Sequence, residues 1–111
     1  PSSDAATCST TDWAKGWIVV VDKAAAVTDK PDVDTDNGGV LQVGGEMKAV
    51  AVTKTAGTND WLRFSPRGLL LGEAAGVTLE LKPETCKAGK AYRILSIGVA
   101  GRASTTKSTC T

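Results

Sequence analysis

Apolar positions along this chain gather in short runs, set apart by stretches rich in Gly, Asp, Ser and Thr, and no run keeps a helical period. The clearest is Ile18 to Val21, β-branched throughout, inside Trp13-Ala-Lys-Gly-Trp-Ile-Val-Val-Val-Asp22. These residue types predict a strand over Gly16 to Asp22, and the lack of alternation predicts a strand covered on both faces. No other segment is an evident cover, which predicts a covering element outside this sequence. Val40 to Val43 reads as a second strand, Gly44-Gly45 as a hairpin turn, and Met47 to Thr53 as its partner strand. Trp61 to Phe64 puts Trp61 and Arg63 on one face and Leu62 and Phe64 on the other. Ser65-Pro-Arg-Gly68 reads as a turn and Leu69 to Leu71 as an edge extension. Val77 to Leu81 alternates, with Val77, Leu79 and Leu81 inward and Thr78 and Glu80 outward. Ala91 to Val99 is the last long strand, with Tyr92, Ile94 and Ser96 on one side and Arg93, Leu95, Ile97 and Val99 on the other. Pro1 to Thr11, Thr28 to Gly39 and Thr55 to Asp60 read as loop or turn, and Thr105 to Thr111 as a polar tail. Short strands punctuated by turn signals predict a mainly β, antiparallel fold.

Length and charge narrow this picture. A chain of 111 residues is expected to form a single domain over 1–111. Its 13 basic and 12 acidic residues leave a net charge of +1, which argues against a general polyanion binder without excluding a local basic patch. No apolar run reaches the roughly 18 residues of a membrane span, and no signal peptide is visible. The sequence starts at Pro1 without a methionine and reads as a fragment of a longer protein.

The three cysteines, Cys8, Cys86 and Cys110, include no C-x-x-C pair, so zinc and thioredoxin-like chemistry have little support. Cys86 and Cys110 flank the final part of the chain. A bridge there closes a loop of about 25 residues and contributes roughly 3 kcal/mol in the chain-entropy model. It also implies an oxidising compartment. The alternative is three free thiols in a reducing one. Cys8 is left for a cysteine elsewhere.

Histidine is absent, which removes the most common general base and metal ligand. Ser65-Pro-Arg-Gly68 is not a G-x-S-x-G nucleophile elbow. Gly38-Gly39 and Gly44-Gly45 lack the spacing of a phosphate loop. No catalytic residue, metal site or cofactor is assigned. Asp32-Val-Asp34-Thr-Asp36 starts like a calcium loop, but the sixth position is Asn37 and the twelfth Val43, where Gly and a carboxylate are needed. A solvated loop whose Asp and Asn side chains cap turns is the simpler reading. Among the basic residues, Arg102 in Gly101-Arg102-Ala103-Ser104 is placed to reach a phosphate or a partner carboxylate.

Three stretches together resemble the pilin-like FimT/FimU/GspH group. Trp13-Ala-Lys-Gly-Trp-Ile-Val-Val-Val-Asp22 is similar to that group's W-x-x-G-W-I-V-F-x-D strand, with Val20 in place of Phe. Leu62-Arg-Phe-Ser-Pro-Arg-Gly68 is similar to its I-x-F-x-x-x-G segment. Tyr92-Arg-Ile-Leu-Ser-Ile-Gly-Val-Ala-Gly-Arg102 is similar to its closing strand pair. The resemblance implies an antiparallel two-sheet globular domain that packs on an N-terminal helix, and such a helix would cover Ile18 to Val21. It implies a non-enzymatic subunit without a cofactor. Such a subunit stands at the periplasmic face of the bacterial inner membrane and enters the extracellular pilus near its tip. FimU-like minor pilins, the members this pattern favours, prime type IV pilus assembly for twitching motility and adhesion and join other minor pilins to the major pilin. On that reading Asp32, Asp34, Asp36 and Arg102 are the candidate partner-binding residues, and the Cys86–Cys110 loop resembles the pilin C-terminal disulfide region. GspH-like members serve type II secretion, and FimT-like members bind DNA through G-R-x-R. Here Gly101 and Arg102 match that motif and Ser104 replaces its second arginine, so the DNA alternative rests on Arg102 and Lys107.

Overall fold

The computed structural model describes residues 1–111, in two compact units, residues 1–48 and 49–111. The chain is mainly β, every ladder is antiparallel, and the only helical element is one turn of 3-10 helix, Trp13–Lys15.

In the first unit, short polar side chains do much of the folding. The Asp4 carboxylate accepts the Ala6 and Thr7 N–H groups at 2.9 and 2.8 Å, and Ser9 Oγ accepts the Ser3 N–H at 2.9 Å. Asp12 caps the 3-10 turn by accepting the Ala14 N–H at 2.9 Å. Strand β1 (Trp17–Val20) then pairs with β2 (Val40–Gly44), with an irregularity between Val19 and Val20. Trp17 faces Gly44, and any side chain on Gly44 would collide with the indole ring. Glycine is required there by close approach.

Gly44-Gly45 is not a hairpin turn, contrary to the sequence expectation. Strand β2 takes β1 as its partner, and the next strand, β3 (Val50–Ala56), pairs elsewhere. Cross-strand matching explains the choice. A two-residue turn at 44–45 would set Val43 opposite Glu46 and Leu41 opposite Lys48. The observed register sets Val43 opposite Ile18 and Val40 opposite Val20. Lys48 and Ala49 form a turn, and Ala49 takes a positive φ of 59° before β3 begins.

The second unit is built on a four-stranded sheet ordered β3-β6-β7-β8, with β6 at Val77–Pro83, β7 at Ala91–Ile97 and β8 at Ala103–Thr109. The expected alternation in β6 is present: Val77 and Leu79 are 2% and 5% exposed. Ile97 of β7 sits opposite Val77, and Leu95 opposite Leu79, so one face of the sheet carries the core. A two-residue ladder joins β4 (Arg63–Phe64) to β5 (Leu70–Leu71) across the expected Ser65–Gly68 turn, where the Gly68 N–H donates to the Ser65 carbonyl at 2.8 Å. The chain thus has two principal sheets, one in each unit, and a third, minimal ladder in the second unit. Trp61 and Leu62 fall outside β4.

The expected polar tail is instead the edge strand β8, paired with β7 along its whole length. Its β-branched Thr105, Thr106 and Thr109 favour extended backbone. An edge strand exposed along most of its length needs no apolar alternation, which is why the hydrophobic pattern did not reveal it. The disulfide joins Cys86 to Cys110, Cα to Cα 5.6 Å, just beyond the end of β8.

Candidate functional site

The acidic segment belongs to the first unit and is folded on Asp22. The Asp22 carboxylate accepts the Ala24 and Asp32 N–H groups at 2.9 and 3.0 Å, and Asp22 bridges to Val33. Asp34 is half-buried. Its N–H donates to the Val21 carbonyl at 2.8 Å, its own carbonyl accepts from Gly39 at 2.8 Å, and its carboxylate accepts the Asn37 amide at 2.9 Å. Asp32 is exposed and lies 3.8 Å from the Lys23 ammonium. Asp36 is exposed. The structure therefore divides the three predicted residues: Asp34 organises the turn, while Asp32 and Asp36 present charge to solvent.

Elsewhere in this unit, Lys15 and Lys48 both reach Glu46, at 3.2 and 3.0 Å. The Lys48 and then the Lys15 hydrogen bond hold the Glu46 carboxyl below its ordinary value. Cys8 is a free, half-buried thiol at the wall of an open depression of about 690 Å³ that also touches Lys30, Pro31 and Val40.

Arg102 and Lys107 belong to the second unit, Arg102 on the β7–β8 turn and Lys107 within β8, both exposed. The Gly-Arg pair has a structural basis. Gly101 has a φ of 81°, and a side chain on it would run into the Gly68 carbonyl, so glycine lets two turns touch. Its neighbour Arg102 is exposed and has no carboxylate partner.

The register adds Arg93, which faces Lys107 directly across the β7–β8 ladder. The signal was a charge in an otherwise apolar alternation with Leu95 and Ile97. What the sequence could not supply was the strand that brings Lys107 opposite. Charge is also unevenly divided along the chain. Residues 1–48 hold 4 basic and 8 acidic side chains, and residues 49–111 hold 9 and 4.

Glu73 was also missed. It is 4% exposed and accepts the Thr58 and Asn59 N–H groups, both at 2.7 Å. Beside it Lys54 donates to the Asn59 carbonyl at 2.7 Å. Trp61 has a buried indole N–H and lies under the Arg63 guanidinium, 6.0 Å from the ring centroid. Glu73 and Lys54 fasten loop backbone, so this cluster is a structural clamp.

A model of the family described as type II transport protein GspH matches residues 2–101. Neither a curated protein nor a solved structure matches the chain.

Proposed function

We propose, because the chain belongs to the family described as type II transport protein GspH, that it is a non-enzymatic filament subunit. More specifically, we read it as a minor pilin that helps initiate type IV pilus assembly and links tip minor pilins to the major pilin. The observation that carries this reading is the extent of the match, which takes in β1 through the Gly101 turn and so runs through both units. The Cys86–Cys110 disulfide supports an oxidising compartment, in keeping with the periplasm and the extracellular filament. On this reading a preceding helix holds the subunit in the inner membrane. Asp32, Asp36 and Arg102 make lateral contacts, and Asp34 shapes the loop that presents the two aspartates.

The family's own description favours a second reading, a pseudopilin of type II secretion. A third, DNA capture by Arg102 and Lys107, draws on the five basic residues against one acidic residue in 84–111.

One strain lacking the gene separates these readings. Loss of sheared-fibre protein, restored by the full-length gene, supports pilus assembly. Normal fibres with loss of secreted enzymes in the medium support the secretion reading and sink the pilus one. Normal fibres and secretion with lost DNA uptake, together with steeply salt-dependent DNA binding that weakens in Arg102→Ala, support the third. If Asp36→Lys combined with Arg102→Glu leaves fibre yield unchanged, the contact assignment is wrong.

A further inference from the structure

We propose that the outer edge of β8 accepts an acidic, extended segment of another filament subunit as a fifth strand of the sheet. Three observations carry this. First, β8 is the terminal strand of the order β3-β6-β7-β8 and pairs with β7 over seven consecutive residues without a register shift. The opposite edge, β3, is interrupted by a shift between Lys54 and Ala56. A regular open edge presents a row of unused N–H and C=O groups to a further strand, whereas a bulge disrupts such a row.

Second, a single cross-strand row runs over the whole sheet: Val52, Leu81, Arg93, Lys107. It begins apolar and ends with two cations directly opposite one another, a pairing that is unfavourable by itself. No carboxylate of the chain is paired with either cation. An Asp or Glu next in this row, on an added strand, would neutralise it. Lys107 then excludes uncharged and basic strands and selects an acidic one, with backbone bonds giving affinity and alternate side chains giving specificity.

Third, Arg102 at one end and Lys87 and Lys90 near the other extend the positive character along this edge, against the single acid Glu84. The chain's own acidic segment is not the donor, because Asp34 and its neighbours are tied into turns around Asp22. The donor is therefore a different subunit. In this respect alone the inference rests on the assembly reading.

The test is an NMR titration of the isotope-labelled chain with the capped peptide Thr-Glu-Val-Glu-Val-Glu-Thr, up to millimolar concentration. Alternate amides of residues 103–109 are expected to shift and gain exchange protection. Replacing the peptide's Glu residues with Lys should weaken binding at least tenfold, and Lys107→Glu in the protein should reverse that preference. Lys107 is exposed, so this variant is expected to keep its fold. The proposal fails if β8 amides do not respond, or if the peptide N-methylated along its pairing edge binds as well as the parent. It also fails if the peptide settles on β3, or if β8 instead pairs with a second copy in sedimentation of the chain alone. A responding edge in a protein whose deletion spares both fibres and secretion would overturn the assembly reading and leave the edge intact. A silent edge with lost fibres would do the reverse.

Discussion

The two units solve the same folding problem with different materials. Residues 49–111 have an apolar core, with Leu70, Val77, Leu79 and Ile97 all buried. Residues 1–48 bury only Pro1, Ser2, Gly16 and Gly39, and leave Val19, Leu41 and Val43 at 45%, 62% and 51% exposure. What holds the first unit is a set of carboxylates and hydroxyls catching backbone N–H groups around Asp4, Asp12 and Asp22. A two-stranded ladder is marginal in water without further apolar cover. Burial sets the stability of the second unit, and local hydrogen bonding sets the shape of the first.

Core truncation should break this contrast most visibly. Leu79→Ala is expected to cost about 3 kcal/mol in chemical denaturation, while Leu41→Ala should stay within about 0.5 kcal/mol. Equal costs would mean that Leu41 is covered in solution. Next, Cys86→Ser with Cys110→Ser should lower stability by about 3 kcal/mol or less in the loop-entropy picture. Hydrogen exchange should place the loss in β7 and β8 and spare β1 and β2.

A finer comparison sets Glu73 against Asp22. Each carboxylate catches two N–H groups, but Glu73 is buried and Asp22 is not. Glu73→Ala removes two short charge-assisted bonds and empties a buried site, and should cost about 2 kcal/mol. Asp22→Ala should cost clearly less, because its carboxylate is only half-buried and water already competes for its bonds. The smallest effect is a pH response in the first unit. The Thr7 and then the Ala6 N–H hold the Asp4 carboxyl well below the usual carboxylate range. Because the folded value is depressed, Asp4's contribution is complete above its unfolded value of about 3.9 and is lost as pH falls toward the lower folded one. Amides of residues 3–7 should therefore lose protection in acid before those of β6 and β7. Asp4→Asn should remove that difference.

The sequence disclosed strands whose side chains carry a period and concealed those whose identity depends on a distant neighbour. Val77 to Leu81 alternates because one face is buried, so both strand and face were legible. Ile18 to Val21 was legible as a strand, but its partner was not. Gly44-Gly45 carries a local hairpin signal that the Ile18–Val43 and Val20–Val40 matches override. Strand β8 was hidden because it is exposed along most of its length. The pairing of Cys86 with Cys110 was readable from their positions flanking the last segment. Of the candidate site, the exposure of Arg102 and the turn-capping role of the acidic loop followed from residue type. The Arg93–Lys107 opposition required the register.

The Cys86–Cys110 bond has a consequence for the timing of assembly. It anchors the chain immediately after β8, and the Cys110 N–H adds a 2.8 Å bond to the Lys90 carbonyl. A terminal strand with a loose end frays, and whatever docks on it must supply the ordering entropy at the moment of contact. Oxidation meets that cost in advance, so the edge is presented straight only after the chain has reached a compartment that can make the bond.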